Sequence, residues 1–245
     1  METQAPRTAA PASNDAAIDA TRGDDAVETW LRPGRFVDSD SPTVQEFAAR
    51  VVEGASTARE KAVRIYYAVR DGVRYDPYAC VFDPDAFLAS AIVSMPGAFC
   101  VQKAILMAAA CRAQAIPCRL GFADVRNHLT SEKLLERMGT DLFVFHGYCE
   151  LLVDERWVKA TPTFNRELCE RFGVKPLEFD GSADALFHEF DQRGRRHMEY
   201  VRYHGVFADL PFERMVAAMH EAYAGFGREA ELGDPKDDRA FAAKA

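Results

Sequence analysis

The sequence has no long apolar run and no excess of positive charge, and both absences narrow the possible functions. No apolar run approaches the roughly 18 residues that a membrane-spanning helix needs. The first 25 residues also lack the apolar core of a secretory signal. We therefore expect a cytoplasmic protein with no membrane partner. With 30 basic and 38 acidic residues the formal net charge is −8, which argues against a nucleic-acid partner, because such binding needs a basic surface.

The close spacings of metal ligands and of disulfide frameworks are missing as well. The chain has six cysteines and six histidines, but it has no C-x-x-C motif and no histidines at zinc spacing. We therefore predict no metal site. In a reducing compartment, six scattered cysteines are expected to be free thiols. A redox protein ranks last among the functional hypotheses, because no resolving cysteine lies close to another.

No internal repeat and no long linker divides the chain. Its 245 residues are 48% apolar and 28% charged, which is typical of a soluble globular protein. Residues 1–25 are small and polar and are predicted to be disordered. Residues 228–245 form a charged tail, so we predict a single domain over residues 26–227.

Helical patterns come first along the chain and strand patterns follow. Ala62, Ile65 and Val69 recur at helical spacing, and Asp154-Glu155 is a tight polar link between two apolar runs. We predict helices at about 42–52, 57–71, 85–88, 100–114, 130–138, 167–172 and 211–226, and strands at 118–125, 142–153, 156–161, 177–179 and 197–206. The pattern predicts an α+β fold with helices packed on one side of a mostly antiparallel sheet.

Cys100 stands at the start of the most apolar predicted helix. The helix is apolar on nearly every side, which predicts that it is buried, and Pro96-Gly97 interrupts the chain just before it. At the first turn of a helix, unpaired N–H groups and the helix dipole favour a thiolate, the nucleophilic form. The alternative is that Cys100 is a small core residue, as most free cysteines are.

His146 is the obvious base for such a nucleophile. Acyl transfer by a thiol needs a base and a group that orients the base. His146, Tyr148 and Glu150 share one face of a predicted strand. A hairpin centred on residues 154–155 places the partner of His146 within two residues of position 163, a range that includes Thr161 and Thr163.

Three ordered motifs resemble those of the transglutaminase-like superfamily. They are G-A-F-C at 97–100, H-G-Y-C-E at 146–150 and R-W-V-K-A-T-P-T at 156–163, similar to the family's G-x-C, H-A-W-x-E and W-x-x-x-D-P-T. The helix and tyrosine turn at 65–76 are also similar, so the resemblance covers about 58–165. It implies a stand-alone domain of bacterial type with a papain-like fold. It also implies a nucleophile at the N-terminus of a buried helix and acyl transfer through a thioester, without a cofactor.

Thr161 departs from the family pattern, which has aspartate at that position. A carboxylate would orient His146 and stabilise its imidazolium, whereas a hydroxyl can accept a hydrogen bond but brings no charge. The enzyme could therefore be slow, could rest as thiol and neutral imidazole, or could recruit another group. Asn165 is a candidate for orienting His146. Gly147 and Tyr148, in place of alanine and tryptophan, are a milder departure.

Other residues are candidates for the oxyanion hole and the substrate cleft. The Cys100 N–H and the Tyr75 hydroxyl could stabilise an oxyanion, although Tyr75 could equally be a packing residue. Residues 124–128, with Asn127 and His128, suit a loop at the mouth of a cleft or a solvated turn. Residues 195–197 and 202–204 suit a basic patch that could meet a substrate carboxylate or an exposed strand.

Two hypotheses follow from these residues. The first is a cysteine enzyme that acts on a peptide, protein or small amide or ester, with hydrolysis slightly favoured over transfer to an amine. The second is a catalytically silent peptide-binding module of the same fold, which Thr161 supports. The sequence leaves the substrate and the oligomeric state open.

Overall fold

The structure is a computed structural model that describes residues 25–187, 191–195 and 197–223. Its α-helices are α1 (Asp25–Thr29), α2 (Pro42–Val51), α3 (Ala58–Gly72), α4 (Ala89–Ile92), α5 (Cys100–Ala113), α6 (Glu132–Met138), α7 (Arg166–Phe172) and α8 (Phe212–Ala222). Its strands are β1 (Cys118–Asn127), β2 (Leu142–Val153), β3 (Arg156–Ala160) and β4 (Met198–Phe207). The predicted disordered segment and charged tail lie outside the described residues, except for Asp25 at the start of α1.

Local signals explain where the early helices begin. Pro42 lies in the first turn of α2, where its missing N–H costs nothing. Before α3, the Thr57 hydroxyl accepts the Glu60 N–H at 3.1 Å, and the Glu60 carboxylate accepts the Thr57 N–H at 3.0 Å. This reciprocal pair satisfies two N–H groups at the helix start. The predicted apolar face of α3 is buried.

The four strands form one antiparallel sheet in the order β3-β2-β1-β4. Asp154 and Glu155 connect β2 to β3 with φ values of 49° and 61°, the conformation that a tight hairpin favours. The pairing of Glu150 with Lys159 has the predicted register. The paired part of β3 ends at Ala160, before the register reaches His146. The predicted α+β class, with helices against an antiparallel sheet, is confirmed.

Helix α5 is the central element of the core and packs against β1 and β2. Its residues from Cys100 to Arg112 are all buried, as its all-round apolar character predicts. Two cations in this run donate hydrogen bonds to backbone carbonyls of neighbouring elements. Lys103 donates to the Arg70 carbonyl at 2.8 Å, and Arg112 donates to the Cys118 carbonyl at 2.9 Å. These bonds compensate for burying charge.

The prediction of a strand at 177–179 is wrong. The segment forms no regular element in the described structure, because its backbone binds α3 instead. The Leu177 carbonyl accepts the Tyr66 hydroxyl at 2.8 Å and the Arg70 guanidinium at 2.7 Å. The helix predicted at 211–226 is α8, which ends at Ala222. The last predicted residues, 224–226, lie outside the described residues.

Two further observations concern the chain as a whole. All six cysteines lie within the described residues and are free thiols. Over the same residues, every helix is too short or too polar to traverse a lipid bilayer.

Candidate active site

The chain before Cys100 is held by backbone pairing with the turn that follows α3. The Asp76 N–H donates to the Ala98 carbonyl at 3.0 Å, and the Ala98 N–H donates to the Arg74 carbonyl at 2.9 Å. Cys100 is then the first residue of α5. The nucleophile candidate therefore starts a buried helix from an anchored turn, as its sequence context predicts.

Gly147 is the point where α5 meets β2. A Cβ at this position would lie 2.9 Å from the Val101 Cα and 3.3 Å from the Ala104 Cβ, so only glycine allows this approach without displacement. The Gly147 N–H faces the Cys100 sulfur. The sulfur therefore lies against the peptide bond that joins His146 to Gly147. The start of α5 and the strand that carries His146 therefore meet at this point.

The Cys100 thiol stays protonated at neutral pH. Burial raises the pKa of Cys100 to about 11, although the N–H groups of Gly147, Val101 and Cys100 itself act in the opposite direction. The residue is only 6% exposed. The N–H groups at the helix start favour the thiolate, as expected, but desolvation outweighs them at this position.

The His146 imidazole is enclosed on the face of the sheet that carries Phe187 and Tyr200. Its ring centroid lies 4.9 Å from that of Phe187 and 6.4 Å from that of Tyr200. Its Nε2 atom is buried and has no hydrogen-bond partner among the described residues. Burial lowers the pKa of His146 to about 3. The imidazole is therefore neutral at neutral pH.

Thr161, at the family's aspartate position, is buried beside Tyr200. Burial raises the pKa of Tyr200 and the Thr161 hydroxyl lowers it, so the two hydroxyls are neighbours. Over the described residues neither oxygen has a hydrogen-bond partner. Nε2 of His146 has no hydrogen-bond partner there either, so Thr161 makes no hydrogen bond to that atom. Its orienting role stays a prediction.

Asn165 anchors Tyr75 instead of the imidazole. The Asn165 Oδ1 atom accepts the Tyr75 N–H at 3.1 Å, and no hydrogen bond within the described part of the chain joins Asn165 to His146. Burial raises the pKa of Tyr75, and a charge on Cys100 adds to that shift. Tyr75 is therefore a protonated phenol close to the nucleophile. Its role as an oxyanion donor stays a prediction.

Two adjoining cavities flank Tyr75. The Cys100 cavity holds about 650 Å³ of empty space, counted to its open mouth. The Asn127 pocket holds about 390 Å³. The two share Tyr75, Leu134 and Phe143 as walls, and Asn127 lines the second. Asn127 thus lies near the predicted cleft.

His128 is directed towards β4 and lines neither cavity. Its N–H donates to the His197 carbonyl at 2.9 Å, and its imidazole lies 3.5 Å from the Glu199 carboxylate. The structure therefore separates the two cleft candidates, since only Asn127 faces an open space.

Asp124 and His204 support the residue before His146, which sequence reasoning does not reveal. Phe145 has a φ of 55°, a conformation that costs a bulky residue energy. The Phe145 N–H donates to Asp124 Oδ1 at 3.1 Å, and His204 Nε2 lies 2.6 Å from the same oxygen. Asp124 is buried in β1 at a register shift, not in a solvated loop. A bulge of this kind leaves no signal in the sequence.

A model of a known protein family matches the part of the chain that contains the candidate catalytic residues. The sequence model of the transglutaminase-like superfamily matches residues 45–162, a segment that contains Cys100, His146 and Thr161. The resemblance found in the three motifs is thereby confirmed over this segment.

The other comparisons are more distant. One solved structure, a "Putative Cysteine Protease from Cytophaga hutchinsonii", is 19% identical, with a TM-score of 0.46. The match covers 60% of this chain and 45% of that chain, so this chain spans less than half of that structure's length. No curated protein matches the chain.

Proposed function

We propose that this protein is a transglutaminase-like cysteine enzyme. In this proposal Cys100 takes the acyl group of an amide or ester as a thioester and passes it to water or an amine. The substrate is a peptide, a protein or a small amide or ester. The observation that carries the proposal is the position of the sulfur. It starts a buried helix, lies against the His146–Gly147 peptide and lines a cavity with an open mouth.

The resting state of the pair constrains the mechanism. With the pKa of Cys100 at about 11 and that of His146 at about 3, both groups are neutral before substrate arrives. The thiol proton therefore moves to His146 while the sulfur–carbon bond forms, and then protonates the leaving group. The Cys100 N–H and the Tyr75 hydroxyl are the proposed donors to the oxyanion.

The acyl acceptor depends on whether an amine can be held while water is excluded. We favour water, and so hydrolysis. The Asn127 pocket adjoins the Cys100 cavity and is the place where an amine would have to bind for transfer to compete. Adding primary amines to a reacting ester and measuring acid and amide products together tests this preference. Amide as the main product at millimolar amine would reverse it.

Intact-mass analysis with a panel of amides and esters tests the central proposal. The wild-type protein is expected to gain the mass of an acyl group, and Cys100→Ala is expected to gain none. Peptide mapping should locate the adduct on Cys100. If the two proteins behave alike across the panel, the protein is not a cysteine acyl-transfer enzyme.

The second candidate is a silent module that binds peptides in the same cleft. Thr161 in place of a carboxylate and the unpartnered Nε2 of His146 favour it. Alkylation of Cys100 at neutral pH does not separate the candidates, because a thiol with a pKa of about 11 reacts slowly in either case. Acylation by substrate does, since it needs His146 as well as the thiol. A His146→Gln variant that acylates as fast as the wild type would favour the silent module.

A further inference from the structure

The walls of the Cys100 cavity are mostly apolar. Aromatic and aliphatic side chains make up most of them, among them Tyr78, Met138, Phe143 and Met219. The described lining residues include no carboxylate and no amide, and Arg137 is the charged one among them. Its guanidinium lies 5.5 Å from the ring centroid of Tyr78, so it is stacked on the wall.

The cavity opens to solvent and lies beside the candidate nucleophile. Cys100 forms part of its wall, so an acyl group that reacts with the sulfur has this space beside it. The chemistry of the walls therefore determines which acyl groups gain from entering.

A polar acyl group gains little from these walls. A side-chain amide or carboxylate leaves water on entering, and apart from Arg137 and the tyrosine hydroxyls the lining offers few partners to replace the lost hydrogen bonds. An apolar group gains about fourfold in affinity for each methylene that is buried. The walls thus select acyl groups by apolar surface.

We infer that the acyl donor for Cys100 is a small ester, thioester or amide whose acyl group is apolar, either aryl-bearing or alkyl, and occupies the Cys100 cavity. The inference rests on the proposed function and names its substrate class. The sulfur–carbon bond forms as the bond from the carbonyl carbon to the leaving group breaks, and the thiol proton passes through His146 to the leaving group. Water then releases the carboxylic acid and restores the thiol.

A matched series of p-nitrophenyl esters tests the inference. The acyl groups are acetyl, hexanoyl, phenylacetyl and succinyl, and each rate is divided by the rate of the same ester with free N-acetylcysteine. The normalised rate of the phenylacetyl ester is expected to exceed that of the acetyl ester on the order of 10²-fold. Burial of about half of the ring carbons is enough to give that gain. Succinyl, of comparable length but charged, is expected to fall below acetyl.

Two variants separate cavity binding from a general effect of hydrophobicity. Cys80 lines the cavity and is half-buried, so Cys80→Phe adds a ring inside it. Val81, the next residue, is 61% exposed and lies outside the lining, so Val81→Phe adds the same ring in solvent. The ratio of phenylacetyl to acetyl rates is expected to fall at least tenfold in Cys80→Phe and to stay at the wild-type value in Val81→Phe.

A binding measurement covers the case in which Cys80→Phe fails to fold. Wild-type protein is titrated with phenylacetamide and with acetamide, and ligand contacts are followed by saturation-transfer NMR. Saturable binding of phenylacetamide alone supports the inference.

Three results would be decisive against one idea or the other. If the acetyl or succinyl ester acylates Cys100 as fast as the phenylacetyl ester or faster, the proposal of an apolar acyl donor is wrong. The proposed enzyme activity is then still supported. Unchanged preference in Cys80→Phe leads to the same two conclusions. Binding of phenylacetamide without acylation by any ester supports the cavity's apolar selectivity and overturns the proposed enzyme.

Discussion

The contact of Gly147 with the first turn of α5 permits a sharp test of the site. Replacing Gly147 with alanine restores the residue that the family motif has after its histidine. In this chain the new Cβ would lie 2.9 Å from the Val101 Cα and 3.3 Å from the Ala104 Cβ. The Gly147 backbone is not in the left-handed region, so the cost of the change is one of space.

The size of the effect follows from these distances. Carbon atoms in good contact are about 3.5–4.0 Å apart, so α5 must move away from β2 by roughly 0.6–1.1 Å to admit the methyl group. Overpacking of this kind costs about 1–3 kcal/mol, and each kcal/mol lowers the Tm of a chain of this length by about 2–4 °C. A displacement of about 1 Å between the sulfur and His146 reduces the rate about 10²-fold.

The assay pairs thermal unfolding with the rate of Cys100 acylation, followed by intact mass. Gly72→Ala is the matched control, because Gly72 ends α3 and a Cβ there would meet nothing within 4 Å. The control is expected to keep the wild-type rate and to gain up to about 1 kcal/mol in stability. The Gly147→Ala variant is expected to lose both stability and rate.

Two results would contradict this reasoning. If Gly147→Ala has the Tm of the wild type, α5 does not pack on β2 as closely as described. If the Tm falls but the acylation rate holds, the spacing between the sulfur and the His146 strand does not limit the reaction.

Three further predictions concern the protonation of the site. Thr161→Asp should raise the pKa of His146 above about 3 and increase the acylation rate about tenfold or more, since a carboxylate contributes up to about 10⁴ in such triads; an unmoved acid limb of the pH–rate profile would contradict it. Because burial lowers the pKa of His146 from 6.5 to about 3, unfolding takes up a proton between those pH values, and the free energy of unfolding falls as the pH drops through this window. In the His146→Gln variant the free energy of unfolding should fall by several kcal/mol less over this pH range. The midpoint of acid unfolding of the variant should therefore lie at a lower pH than that of the wild type. Alkylation of Cys100 by iodoacetamide should speed up about tenfold per pH unit towards a pKa of about 11, and a plateau near pH 7 would show that the thiolate is already formed.

Much of the architecture could be predicted because its signals are local. The apolar run after Pro96-Gly97 predicts a buried helix wherever it packs, and that helix is α5. The Asp154-Glu155 link determines the hairpin register through its own geometry, so the pairing of Glu150 with Lys159 needs no tertiary information. The segment 177–179 was not predictable in this way, because Tyr66 and Arg70 of a distant helix bind its backbone.

The sequence by itself determined the order of helices and strands, the transglutaminase-like motifs and the identity of the cysteine and histidine that those motifs carry. Only the tertiary structure decided that Cys100 rests as a thiol, because desolvation depends on every neighbour that excludes water from the sulfur. It also decided that Asn165 bonds Tyr75 and that Asp124 supports Phe145. These partners are 90 and 21 residues apart in the chain, and no local pattern records such a contact.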